Sequence, residues 1–393
     1  MTDPLGQSQV IPYLQGLTKQ GIEFSLISFE KKEKFRERGE MIRSLLDISG
    51  IKWYPQTFTS NPPIVSKLFD LWRMKKAAVN LHKENQFDLI HCRSYVAIQA
   101  GLQLKKKFQI PVLFDMRGFW VDEKKEAGGL LWKILYKVYK NKERIFLADS
   151  DAIISLTAAA KKEILSWGLD KVTADKIAVI PCCTDLALFS PSVPDDNERI
   201  TVSREIEAEN RYPIISYLGS LGPQYSIKEM LYFFSRVKIK HPLAKFIFFT
   251  KDNPELVLKY VEQFPEIRNT DIHFRFVERN KVPAYLSASD YSIFFYYPSY
   301  SRLACSPTKY AELLGMNIPV ICNEIGDISK PVVAGDCQIV LKDLSEKSLA
   351  TAAEKIGNKD TKKEYKTRDY AIEHYSLDTG INSYFKVYKK LGL

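Results

Sequence analysis

The sequence predicts an α/β protein made of two Rossmann-like halves facing a central cleft. Three observations predict it. Short apolar runs of strand length alternate with stretches of helical period along almost the whole chain. A polar segment at 185–212, with Pro191, Pro194 and acidic residues at 195, 196 and 198, breaks that alternation and reads as a linker. The alternation then restarts with a strand and a glycine turn. At 393 residues and 45% hydrophobic, the chain is long enough for two cores.

The first half, 1–186, opens unusually. A polar loop at 3–9 runs into a helical pattern with Val10, Ile11, Tyr13, Leu14 and Leu17 apolar, ending at Gly21. A strand at 22–29 follows. A doubly wound domain normally has a strand ahead of that first helix, central in its sheet; here the start codon is misassigned, the chain is truncated, or something else fills the gap. Helices are expected at 31–47, 64–85, 95–107, 129–147 and 157–167, and strands at 51–55, 87–93, 110–117, 152–156 and 176–181. The second half, 187–375, repeats the pattern. Its strands fall at 214–219, 245–250, 271–277, 291–296, 320–322 and 338–341, and its helices at 227–238, 254–262, 282–289, 306–314 and from about 345. The tail, 376–393, is an amphipathic helix carrying Tyr384, Phe385 and Tyr388.

Charged residues make up 26% of the chain, and 57 basic against 47 acidic residues leave a net charge of +10. Nucleic acid, an anionic membrane surface or a phosphorylated substrate would each suit that balance. No zinc-finger or RNA-recognition signature is present, which makes nucleic acid the weakest of the three. No apolar run reaches the ~18–20 residues that cross a bilayer. The six cysteines, Cys92, Cys182, Cys183, Cys305, Cys322 and Cys337, form no C-x-x-C pair and read as reduced thiols of a cytoplasmic protein. The histidines at 82, 91, 241, 273 and 374 have no metal spacing. Asp149 and Asp151 precede their strand, the wrong end for a divalent ion at a ligand site. No metal and no cofactor are expected, so a bound diphosphate would be met by Lys, Arg and backbone N–H groups.

Four stretches carry candidate chemistry. In 299–327, Ser306-Pro307-Thr308 opens a short helix bearing Lys309 and Glu312 and ending at Gly315. Proline suits a helix's first turn, and free N–H groups there face anions. Lys309 and Glu312 are three apart and share one face. A cation at an anion site with a carboxylate one turn deeper would hold a phosphate joined to a hydroxyl-rich sugar; a surface helix with a solvated ion pair is the alternative. Gly219-Ser220-Leu221-Gly222 follows a strand directly, where glycines let backbone approach a ligand. Asp115 to Glu123 closes a strand with Arg117, Phe119, Trp120 and Asp122 and reads as a substrate-facing loop. The helix at 128–147 sets Lys133, Lys137 and Lys140 against Leu131, Ile134, Leu135 and Val138. Its apolar face is expected to pack on its own sheet, leaving the lysines to meet anionic lipid.

Taken together, Asp3–Gln9, Asp115–Glu123, Ile180–Asp185, Tyr217–Gly222, Ser306–Glu312 and Gly326-Asp327 resemble the family 4 glycosyltransferases of the GT-B fold over nearly the whole chain. The resemblance implies a retaining, metal-independent transfer from a nucleoside-diphosphate sugar, bound by the second half, to a saccharide or lipid-linked acceptor, bound by the first. It further implies a role in cell-envelope polysaccharide synthesis at the inner face of the membrane, and a final helix that crosses back to the first half. Glu312 matches the second glutamate of the family's Glu-x7-Glu motif, which binds the donor ribose; Ala304 stands at the first. Ser220 stands where the family has Arg, and Lys228 follows later, so Lys309 and Arg302 are left to neutralise the diphosphate. Gly219 and Gly222 admit the phosphates, and the N–H groups near Ser306 and Thr308 assist. Arg117 replaces a family histidine. Gly6, Gln7, Arg117 and Asp122 are expected on the acceptor side. By the same comparison, roughly ten residues, a strand and a turn, are expected ahead of Met1. A non-catalytic nucleotide-sugar-binding partner of an assembly complex and a sugar-nucleotide epimerase are the alternatives.

Overall fold

The computed structural model describes residues 1–205, 212–332, 338–357 and 366–393, so Cys337 and part of the expected linker lie outside the described residues. The chain divides into two compact units. Met1–Cys182, Tyr300–Cys305 and Leu377–Leu393 form the first, and Cys183–Ser299 with Ser306–Ser376 the second.

The first unit runs α1 (Pro4–Gln9), α2 (Ile11–Thr18), β1 (Ser25–Glu30), α3 (Lys32–Ile48), β2 (Lys52–Thr57), α4 (Pro63–Asn85), β3 (Ile90–Arg93), α5 (Ser94–Phe108), β4 (Val112–Asp115), α6 (Trp120–Glu126), α7 (Leu130–Asp149), β5 (Ala152–Ser155), α8 (Ala158–Ser166) and β6 (Ile177–Val179). Strands β3-β4-β5-β6 form one parallel sheet and β1-β2 a separate parallel pair. Every residue of β4 and β5 is buried, which is why both read as apolar runs, ended by Asp115 and Ser155, rather than as alternating ones. Gln86 and Gln109 end α4 and α5 in the left-handed conformation. Thr157 caps α8 by accepting from the Ala160 N–H at 3.0 Å.

The second unit runs α9 (Asp196–Glu205), β7 (Ile214–Leu218), α10 (Ile227–Lys240), β8 (Lys245–Phe249), α11 (Glu255–Val261), β9 (Ile272–Arg275), α12 (Val282–Ser287), β10 (Tyr291–Phe294), α13 (Thr308–Gly315), β11 (Val320–Asn323), β12 (Gln338–Leu341), α14 (Glu346–Glu354) and α15 (Thr367–Tyr375). Its six strands form one parallel sheet in the order β12-β11-β10-β7-β8-β9. The order reverses at β7, the place where ligands bind beyond strand ends in such sheets. The last helix, α16 (Leu377–Lys390), belongs to the first unit and packs on α2. Gly16 allows that contact, since a Cβ there would lie 2.1 Å from Ile381 Cδ1. Tyr13 and Tyr384 meet edge to face at 5.4 Å.

Four local expectations are corrected. The polar stretch 3–9 is not a loop: Pro4 stands at a helix's first turn and Pro4–Gln9 forms α1. The segment 185–212 is not wholly a linker: α9 forms inside it, started by Asp195 accepting from the Glu198 N–H and anchored by buried Val202. Residues 120–126 are helix rather than loop, because Phe119 and Val121 are fully buried and pull the segment onto the core. The aliphatic face of α7 does not pack on its sheet. Leu130, Leu131, Ile134 and Val138 are exposed, while Trp132 and Tyr139 turn inward against Trp120 at 5.3 and 5.9 Å. The aromatic rings bury more area and so decide the helix's rotation. Lys140 goes with them, held between Asp122 and Glu143 at 2.6 and 2.5 Å.

Candidate functional site

In the second unit, the chain leaves β7 through Gly219, whose φ of +123° is closed to side-chain-bearing residues. A Cβ at Gly219 would stand 2.9 Å from Lys309 Nζ, so the turn and the lysine are in direct apposition. Lys309 is buried in the first turn of α13, and its ammonium lies 4.3 Å from the Tyr217 ring centroid and 4.2 Å from that of Tyr225. The rings hold a charge that burial alone would disfavour. The turn is fixed on both sides: the Tyr217 hydroxyl donates to the Ser220 carbonyl, and the Leu221 N–H donates to Asp252 Oδ2 at 2.6 Å. Gly222 has no left-handed backbone and meets only the Gln224 side chain.

One turn along α13, Glu312 is buried and accepts from Arg279 Nη1 at 2.8 Å. Arg279 also donates to Thr184 Oγ1 at 3.3 Å and lies over the Phe189 ring at 5.0 Å. Pro307 is the N-cap of α13, so the helix opens at Ser306–Thr308 as its sequence suggests. Cation, glycine turn, helix start and buried carboxylate are thus gathered in one unit at the carboxyl ends of β7 and its neighbours. Arg279 and Asp252 were not singled out from sequence; Asp252 stands in the loop after β8 and Arg279 opens a 3-10 turn soon after β9, and only that placement past a strand would have marked them.

Arg302 belongs to the first unit, in the 3-10 turn Tyr300–Ala304. That turn is held by the Ser301 N–H donating to Glu126 at 2.9 Å, by Thr157 Oγ1 donating to the Leu303 carbonyl, and by Tyr300 stacked on Phe119 at 5.5 Å. Arg302 lies beside Glu123, whose pKa burial raises against the pull of that guanidinium.

The first unit holds its own polar cluster, at the ends of β3 and β4. Asp115 has no exposed surface. It accepts from Arg93 Nη1 at 3.0 Å and from the Tyr384 hydroxyl at 2.9 Å, with His91 Nε2 at 3.6 Å and Arg117 Nη1 at 3.8 Å. Burial pushes its carboxyl up, but Arg117, Arg93 and His91 outweigh burial and hold it well below the usual carboxylate range. Burial works against the Arg117 charge, yet Cys182 and Asp115 raise its pKa overall. Arg117 sits at φ +64° and donates to Cys182 Sγ at 3.0 Å. Asp122 is buried and engaged by the Tyr136 hydroxyl and Lys140, which ties α6 to α7. In α1, Gly6 is pressed against Met1, and Gln7 Nε2 donates to the Thr2 carbonyl at 3.1 Å. Among the described residues, no group of three or more His, Cys, Asp or Glu converges as a metal site would.

Residues 9–188 match the model of Glycosyltransferase Family 4. Solved structures match along nearly the full chain. A glycosyltransferase from Rickettsia africae has a TM-score of 0.70 at 17% identity, covering 97% of this chain and 93% of its own. Anabaena HepE in complex with UDP and glucose has 0.66 at 13%, covering 96% and 94%. Sucrose-phosphate synthase from Thermosynechococcus elongatus has 0.68 at 15%, covering 94% and 98%. The chain thus has the GT-B fold of these glycosyltransferases, and its residues 9–188 resemble Glycosyltransferase Family 4. No curated protein matches the chain by sequence. Among the described residues, no helix is long and apolar enough to cross a membrane.

Proposed function

We propose that this glycosyltransferase moves a sugar from a nucleoside-diphosphate sugar to a saccharide or lipid-linked acceptor, with retention of configuration, in the building of an envelope polysaccharide. The observation that carries the donor assignment is the Lys309 ammonium held over Tyr217 and Tyr225 against Gly219, with Glu312 one turn deeper on the same helix. HepE was solved with UDP and glucose, which supports a donor of that kind. Lys309 and the α13 start at Ser306–Thr308 take the diphosphate, Gly219 and Gly222 let it approach, and Glu312 accepts from the ribose hydroxyls. The Ser220 carbonyl, bonded by Tyr217, keeps the turn in shape.

The transfer needs no nucleophile from the protein. The bond from the anomeric carbon to the diphosphate oxygen breaks, the acceptor oxygen bonds on the same face, and the departing phosphate takes the acceptor's proton. Lys309 stabilises the charge that develops on that phosphate. On the acceptor side, Arg117 supplies a fixed cation, Gly6 and Gln7 stand on the opening helix α1, and Asp122 acts by holding α6. The exposed Leu131, Ile134 and Val138 alongside exposed Lys133 and Lys137 give α7 an apolar and basic face suited to an anionic bilayer surface. That face would bring the enzyme to a lipid-linked acceptor.

The test is a screen of nucleoside-diphosphate sugars for thermal stabilisation, followed by assay of diphosphate release with acceptor present. Release in the wild type and its loss in Lys309→Ala and Glu312→Ala are expected; unchanged activity in both variants refutes the site. Binding without turnover favours a non-catalytic partner, and conversion of the donor without acceptor favours an epimerase.

A further inference from the structure

Glu312 is a buried carboxylate tied down at one point. Its side chain is only 5% exposed, and Arg279 Nη1 donates to its Oε1 at 2.8 Å. Among the described residues it accepts from no other group. An ionised carboxylate accepts at about four sites across its two oxygens, so most of that capacity is left for a ligand.

Arg279 is itself held, and every contact that holds it lies in the second unit. It opens the 3-10 turn Arg279–Lys281, where the Lys281 and Val282 N–H groups both donate to the Glu278 carbonyl, at 2.9 and 3.2 Å. Its Nη2 donates to Thr184 Oγ1 at 3.3 Å, and its guanidinium lies 5.0 Å from the Phe189 ring centroid. The Thr184 N–H in turn donates to the Tyr375 carbonyl at 2.9 Å. β9 and β10 are separated in the sheet by β7 and β8, so Arg279 joins the segment after one strand to the helix after another that it does not touch. A planar fork with one N–H on Glu312 and another on Thr184 fixes the direction of the carboxylate as well as neutralising it.

We infer that Arg279 is a positioning residue that makes Glu312 select a ribose carrying both hydroxyls, so that this site takes ribonucleoside diphosphates in preference to their 2′-deoxy counterparts. The inference rests on the donor reading above. With Oε1 pinned, the carboxylate plane does not turn, and its open lone pairs keep a set direction. The vicinal 2′ and 3′ hydroxyls donate to the two oxygens together. A 2′-deoxyribose brings one donor fewer and leaves a buried acceptor unmet, which a site built around a hydroxyl penalises strongly. A carboxylate free to turn would follow whichever hydroxyl is present and discriminate less.

The test titrates the 393-residue chain with UDP, GDP and ADP by calorimetry and compares the one bound tightest with its 2′-deoxy counterpart. The wild type is expected to favour the ribonucleotide at least tenfold. Arg279→Lys keeps the charge and removes the fork, so it should bind the 2′-deoxy ligand within about twofold of wild type while the preference falls to about threefold or less. Arg279→Gln removes both, so it should weaken both ligands and lose the preference as well. A preference unchanged in the two variants overturns the inference and leaves Arg279 an ion pair of the fold alone. Tighter ribonucleotide binding in either variant overturns it too, because Arg279 would then compete with the ribose for Glu312. Should the variants fail to fold, the wild type decides: a preference below threefold, or tighter binding of the 2′-deoxy ligand, overturns the inference while the donor reading stands. A wild type that binds none of the three diphosphates overturns the donor reading and the inference with it.

Discussion

Gly219→Ala and Gly222→Ala separate a glycine whose backbone and neighbouring lysine leave no room for a Cβ from one whose backbone tolerates it. At Gly219 a methyl group meets two obstacles. Its φ of +123° lies where side-chain-bearing residues are strained, at about 1–3 kcal/mol. Its Cβ would also stand 2.9 Å from Lys309 Nζ, so the ammonium must leave its position between Tyr217 and Tyr225. That forfeits cation–π attraction of about 0.5–2 kcal/mol. Gly222 has an ordinary φ, and its Cβ would approach only Gln224 Oε1, the free-swinging end of a side chain, so a change under about 0.5 kcal/mol is expected. In urea unfolding monitored by fluorescence, Gly219→Ala should lose about 1–3 kcal/mol and Gly222→Ala almost nothing. In UDP titration by calorimetry, Gly219→Ala should weaken binding about tenfold, which is ~1.4 kcal/mol. Equal effects of the two substitutions, or UDP affinity unchanged in Gly219→Ala, would refute the apposition of turn and lysine as the diphosphate site.

Arg279→Met should destabilise more than Glu312→Gln, by about 2–3 against about 1 kcal/mol in urea melts. The first leaves a buried carboxylate without its ion pair, whereas the second leaves a half-exposed guanidinium in water. The Asp115 carboxyl is held below its unfolded value of ~3.9, so its contribution is complete above about pH 4 and is lost as pH falls through the lower folded value. Asp115→Asn should therefore be less stable at pH 7 yet show a shallower loss below pH 4 in pH-dependent melts. For α7, Ile134→Asp should reduce co-flotation with vesicles containing phosphatidylglycerol several-fold without changing turnover of a soluble acceptor. Equal flotation on neutral phosphatidylcholine would argue against the basic face.

Much of the fold was legible because parallel strands covered on both faces leave apolar runs, as in 112–114 (Val-Leu-Phe) and 246–249 (Phe-Ile-Phe-Phe). Motif spacing likewise placed Lys309 and Glu312 on one helix, since three residues apart on α13 is a local fact. Local spacing could not reach partners brought in from elsewhere. Arg279 comes to Glu312 from 33 positions away, and Asp252 to Leu221 from 31. Nor could it assign Arg302, which sits four residues before Ser306 yet belongs to the other unit. The rotation of α7 was misread for the same reason: aliphatic periodicity pointed Leu131 and Ile134 inward, but Trp120 gave Trp132 and Tyr139 a larger surface to bury. The sequence by itself determined the two α/β halves, the glycine turn and the lysine-bearing helix, because these follow from periodicity and backbone chemistry within a dozen residues. Tertiary structure alone decided which charges neutralise one another and which helix faces stay in water, because those depend on contacts between segments that are distant in the chain.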